Sequence, residues 1–244
     1  MEDVSEIVRV VVARPGGLLV MVGMLLVSAR LLYLRRKNRG IPEALVAGLI
    51  GFGALGNAFY LAGNTLHLEG RHVPLLFYLG PIAIGAARLC IAWFAHRVFF
   101  PEPQWSLRLV IGISAAVCLT TAMECVRAAS GALFPATGTM AVWMLPTLWA
   151  AVGAFQGYRR ARKQNALGVG NPVVTNRFLL FSVLMGTIAI ASTAMFVVHA
   201  AGLGLHTGLK IITRPGGVVI AVTTYLTFLP PTAYRRWLHR RQKA

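Results

Sequence analysis

Residues 178–202 read FLLFSVLMGTIAIASTAMFVVHAAG, twenty-five positions without one Asp, Glu, Lys or Arg. A helix needs about 20 apolar residues to cross the hydrocarbon of a bilayer. This stretch therefore predicts a membrane-spanning helix. Residues 107–129, LRLVIGISAAVCLTTAMECVRAA, read the same way, with charges only near the ends at Arg108, Glu124 and Arg127. Working outward, five more segments qualify: 16–34, 41–62, 73–95, 139–158 and 216–234. The runs are continuously apolar, whereas a membrane barrel alternates in segments of roughly 10 residues. The expected fold is thus all-α, a polytopic membrane protein with a seven-transmembrane helix bundle. Arg30 lies close enough to the end of the first span to snorkel. Pro230-Pro231 should kink the seventh span or end its regular part.

Composition agrees. The chain has 244 residues, 57% hydrophobic and 13% charged, against about 45–50% and about 25% in ordinary soluble domains. Disorder is excluded, because it requires low hydrophobicity. A net charge of +17, from 24 Lys and Arg against 7 Asp and Glu, could suggest nucleic acid. A mean hydropathy of +0.67 argues against that partner.

The charge instead reads as orientation. Connections following spans 1, 3, 5 and 7 hold 17 of the 24 basic residues, the opposite set holds 6, and Arg88 lies within span 3. The N-terminus is expected outside and the C-terminus in the cytosol. The longest connection, 159–177, is too short for a soluble domain, so the whole chain, 1–244, reads as a single transmembrane domain. The start Met1-Glu2-Asp3-Val4-Ser5-Glu6 is acidic, unlike the positive region of a secretory signal, and neither end carries a lipidation motif. Cys90, Cys118 and Cys125 sit within apolar runs and read as small buried residues.

Two helix starts repeat a sequence, Arg14-Pro15-Gly16-Gly17 and Arg214-Pro215-Gly216-Gly217. Proline suits a first helical turn, and a helix N-terminus with a nearby Arg suits an anion. Arg14 and Arg214 are the expected contacts to an outer-leaflet anionic headgroup; ordinary interfacial helix starts are the plainer reading.

Ionisable groups at membrane depth are costly and often functional. Arg88 either meets a ligand or carboxylate inside the bundle or is a snorkelling or paired structural residue. Glu43 follows Pro42 and suits the helix dipole. Glu124 either pairs with Arg127 three residues on or faces an outward cavity. Span 2 is rich in small residues, including Gly48, Gly51 and Gly56, which lets helices approach closely. Its Asn57 and Tyr60 line a pocket or cross-link helices. With His199, these make Arg88, Asn57, Tyr60, Glu124 and His199 the expected ligand-binding or path residues. His67, Glu69, His72 and His206 cluster toward the outer side. Zinc takes such ligands, but the spacing matches no zinc signature, and solvated or pH-sensing residues explain them as well. No metal or cofactor is implied.

The last span lacks the lysine of a retinal protein. No Gly-x-Ser-x-Gly, phosphate loop, His-Glu-x-x-His or paired catalytic carboxylates occur, so no catalytic residue is assigned. At Gly170-Asn171-Pro172-Val173-Val174-Thr175-Asn176-Arg177-Phe178 and Phe228-Leu229-Pro230-Pro231-Thr232-Ala233-Tyr234-Arg235-Arg236-Trp237, the chain resembles bacterial seven-helix inner-membrane proteins of uncharacterised activity. That resemblance implies location and topology and carries no site residues. The expected function is a receptor-like, sensory membrane protein that binds a small or lipid ligand from outside and acts through a cytosolic or membrane protein partner. A small-solute or ion transporter, with polar residues lining its path, is the alternative. Membrane lipids are the expected neighbours, and nucleic acid is not.

Overall fold

The computed structural model describes residues 15–38, 41–68, 73–129, 136–201, 219–228 and 230–243, and these form helices and short turns with no strand. The helices are α1 (Pro15–Asn38), α2 (Ile41–Leu68), α3 (Pro74–Phe99), α4 (Gln104–Ala129), α5 (Thr137–Ala166) and α6 (Pro172–Ala200), then α7 (Val219–Phe228) and α8 (Thr232–Lys243). Five stretches are long and apolar enough to cross a membrane: Ile41–Tyr60, Leu75–Phe99, Gln104–Arg127, Thr137–Ala166 and Pro172–Val198. They correspond to the second through sixth expected spans. The first span falls on α1, and the seventh is broken. Pro230 and Pro231 are non-helical, between a ten-residue α7 and the basic α8.

The largest departure concerns the connection 159–177, expected as a loop. Here α5 runs on to Ala166, and α6 begins at Pro172. Charge marks where the hydrocarbon ends, not where the helix ends, and Arg, Lys and Gln are good helix formers. The breaker is Gly168, whose φ of +75° is a left-handed conformation that glycine adopts freely. The Asn171 side-chain oxygen then accepts the Val173 N–H at 2.9 Å, an N-cap ahead of Pro at the first helical position. Replacing Asn171 by Ala should cost about 1 kcal/mol of stability, measurable as a lower melting temperature in detergent.

The chain divides into two compact units. The first holds α1, α2, α3 as far as Trp93, and Leu107–Trp143, that is most of α4 and the start of α5. Its centre is α2, whose small residues admit both neighbours. The Ser28 hydroxyl of α1 donates to the Ala47 carbonyl at 2.8 Å. A Cβ on Gly51 would stand 2.8 Å from Ser28 Oγ, and one on Gly48 2.6 Å from Cys90 Sγ of α3. One on Gly56 would come within 2.7 Å of the Ile84 side chain and 3.0 Å of its backbone nitrogen. The backbone contact leaves little room to yield. Gly56→Val should therefore lose about 1–3 kcal/mol by overpacking, read from thermal unfolding in micelles.

The second unit comprises Phe94–Ser106 and Met144–Ala244. Its core is aromatic. Phe94 packs on Phe181 with centroids 5.1 Å apart and meets Phe99 edge-on at 5.8 Å and 87°. Phe181 in turn meets Phe228 of α7 at 6.2 Å and 82°. Gly153 of α5 lets Phe99 in: a Cβ there would lie 2.7 Å from its ring. Beside this cluster Phe100 stacks on Trp149 at 5.7 Å. The turn between α3 and α4 is closed by the fully buried Ser106, whose Oγ lies 2.9 Å from His96 Nδ1, 2.7 Å from the Phe100 carbonyl and 2.8 Å from that of Pro103.

Candidate functional site

The site is built in the first unit, at the end where α4 finishes and α5 begins. On α4, Val110, Ile113, Val117 and Glu124 are buried. Their spacing of three, four and seven defines one inward face. Ser114 and Thr121 lie on that same face. The opposite side exposes Ile111, Leu119, Met123 and Val126.

A buried carboxylate on the inward face must be hydrogen-bonded, and Glu124 is. Its Oε1 accepts the Ala136 N–H at 2.8 Å and the Thr139 hydroxyl at 2.6 Å. Ala136 is the N-cap of α5, since its carbonyl accepts the first helical bond from Met140 at 3.0 Å. Glu124 thus supplies from the preceding helix what a capping-box Glu supplies within its own. Its negative charge also sits at the positive end of the α5 dipole. The sequence offered a local pair with Arg127 or an outward cavity. To these the structure adds a further role, in which the carboxylate fastens the start of the next helix.

Tyr60 of α2 is half-buried, its ring laid against Gly80 of α3, where a Cβ would stand 3.2 Å away. Two of the expected ligand-binding residues, Tyr60 and Glu124, thus belong to this one unit.

Three further polar groups were not singled out by sequence. Ser114 Oγ, Thr121 Oγ1 and Trp143 Nε1 are buried with no hydrogen-bond partner among the described residues. Thr121 presses on Gly85 of α3. It lies three residues below Glu124 on α4, and Trp143 lies four below Thr139 on α5. At 1.5 Å per residue both stand roughly 5 Å deeper than the clamp. A buried donor without a partner costs about 1–3 kcal/mol, so native structures keep few of them. Inspection of i, i+3 and i+4 spacings around Glu124 would have found Thr121. Nothing in the sequence singles out Trp143.

The other candidates fall elsewhere. Asn57 is exposed and donates to the Gly53 carbonyl of its own helix at 2.7 Å. Arg88 is half-buried on α3 in the first unit and takes part in interactions there. Glu43 stands in the first turn of α2. His67 and His199 lie in α2 and α6, but their side chains are outside the described residues, as are Arg14, Glu69, His72, His206 and Arg214 entirely. Among the described residues no three His, Cys, Asp or Glu side chains gather to hold a metal. Cys90, Cys118 and Cys125 are free thiols.

The chain matches no protein-family model, no curated protein and no solved structure.

Proposed function

We propose that the chain is a seven-helix protein of an inner (plasma) membrane, N-terminus outside and C-terminus in the cytosol. In this reading it binds a small or lipid ligand from the outer side at the corner of Tyr60, Thr121, Glu124 and Trp143, and acts through a partner. Five helices of membrane-spanning length support the membrane placement. So do large exposed apolar residues such as Leu119 (65%), Val126 (73%) and Ile190 (72%), which a soluble surface rarely gathers. The uneven distribution of Lys and Arg supports the orientation.

The observation that carries the ligand site is the set of buried polar atoms without partners one turn below a buried carboxylate. A ligand offering an acceptor to Trp143 and a polar group to Thr121 would satisfy them. Glu124 ties that corner to the first turn of α5, and the same helix reaches the cytosolic side at Arg159–Lys163. A ligand that competes for the carboxylate would loosen the start of a helix whose other end faces the partner. Transport is the second reading. It is less favoured because Asn57, one of the expected path residues, is exposed and bonds its own backbone.

The test is to extract the purified, full-length protein with organic solvent and identify retained molecules by mass spectrometry. A species present in the wild type and lost in Thr121→Val and Trp143→Phe supports the reading. Ion or solute flux through reconstituted vesicles, stopped by the same changes, would favour transport instead. Identical extracts without flux would contradict both.

A further inference from the structure

The second half of the chain has an unbalanced charge. Beyond Glu124 there are 13 Lys and Arg and no Asp or Glu. Four side chains of α5, Gln156, Arg159, Arg160 and Lys163, line a groove of about 200 Å³. They recur at spacings of three and four, so like charges stand side by side on one helix face, an arrangement that is unfavourable by itself. Within the second unit the one acid is Glu102, exposed in the turn between α3 and α4. Apart from Glu102, the second unit has no counter-charge to offer this groove.

Depth identifies its source. From Thr137 to Tyr158, α5 is about 33 Å long at 1.5 Å per residue, close to the roughly 30 Å thickness of the hydrocarbon layer. The half-exposed Phe155 pairs with Tyr158 at 6.3 Å, an aromatic pair of the kind that marks the headgroup boundary. The basic groove opens within the next turn, at the level of lipid phosphates.

The neighbouring elements repeat the pattern. The Asn165 amide donates to Thr175 Oγ1 of α6 at 2.8 Å, and the Asn176 amide donates to the Tyr234 hydroxyl of α8 at 2.8 Å. These bonds bring the ends of α5, α6 and α8 to one rim, with Arg177 and Arg236 exposed. On α8 Tyr234 stacks on the half-exposed Trp237 with centroids 5.9 Å apart. Basic residues beside interfacial aromatics just past a membrane helix are the pattern that binds anionic lipid.

We infer that the groove of Arg159, Arg160 and Lys163 is a binding site for the phosphate headgroup of an anionic phospholipid, with α8 lying alongside on the same leaflet. This rests on the membrane placement proposed above. It is independent of the outer ligand corner.

The probe is phosphatidylglycerol at low mole fraction in micelles of the purified full-length protein, with retained lipid counted by native mass spectrometry. Binding in micelles does not depend on which side the groove faces, so an error in orientation, read separately by sided thiol labelling of Leu167→Cys against the wild type, leaves this test intact. The combined change Arg159→Gln, Arg160→Gln and Lys163→Gln should weaken retention roughly a hundredfold, given about 1 kcal/mol for each basic residue near an anionic surface. Arg159→Lys with Arg160→Lys should keep most of it. Arg35→Gln with Arg36→Gln, exposed at the end of α1, should weaken it clearly less than the triple change does. Equal loss in both glutamine sets, or equal retention of phosphatidylcholine, would overturn the site. Displacement by millimolar inorganic phosphate would assign it to a soluble anion and overturn the lipid. Retention unchanged in the triple variant, with an acidic protein captured instead, would overturn it too.

Discussion

Phe181→Ala should be the most damaging single change in the second unit. Phe181 is buried and touches Phe94, Phe99 and Phe228, so one ring joins α3, α6 and α7. In a water-soluble core such a truncation costs about 3–5 kcal/mol. In lipid the transfer part of that cost shrinks, because the acyl chains are as apolar as the core. The cavity and the lost aromatic geometry remain, the latter about 0.5–1.5 kcal/mol for each pair. A loss of about 2–4 kcal/mol follows, seen as a large drop in melting temperature in detergent. Phe181→Leu refills most of the volume and should lose about half as much. A melting temperature unchanged in Phe181→Ala would show that the ring cluster does not hold α7.

Glu124→Ala should be nearly as costly in the first unit, for a different reason. It removes one carboxylate but leaves the buried Thr139 hydroxyl and the part-buried Ala136 N–H without an acceptor. Hydrogen bonds to charged groups contribute about 1.5–3 kcal/mol each, and the favourable charge at the α5 N-terminus is lost as well. An expected loss of about 3 kcal/mol is reasonable. Glu124→Gln retains an oxygen that can accept both bonds and should lose about 1 kcal/mol. Thr139→Val tests the clamp from the other side. If it acts through Glu124, its cost and that of Glu124→Ala will not add.

The contrast between these residues shows what the sequence could carry. Helices α2 to α6 were legible because twenty consecutive apolar residues have few other uses, and the small residues of α2 announced its close packing. Pro230-Pro231 announced the end of α7. The extension of α5 to Ala166 was not legible, because the charged run Arg159–Lys163 ends the apolar stretch while the helical backbone continues unchanged. The role of Glu124 was hidden for another reason. The two donors to its Oε1 lie 12 and 15 residues on, across a turn whose course no periodicity encodes. Trp143 was hidden most completely. A tryptophan in an apolar run is ordinary, and only its buried, partnerless N–H makes it informative.

The proposed function requires the Glu124 corner to be coupled along α5 to the basic end of that helix at Arg159–Lys163. Amide hydrogen exchange of the full-length protein in lipid nanodiscs, wild type against Glu124→Ala, tests it most directly. With coupling, exchange should be faster at residues 136–141 and also at 163–171, with α2 unchanged. Faster exchange confined to 136–141 would leave the clamp as a local fastening and contradict the coupling.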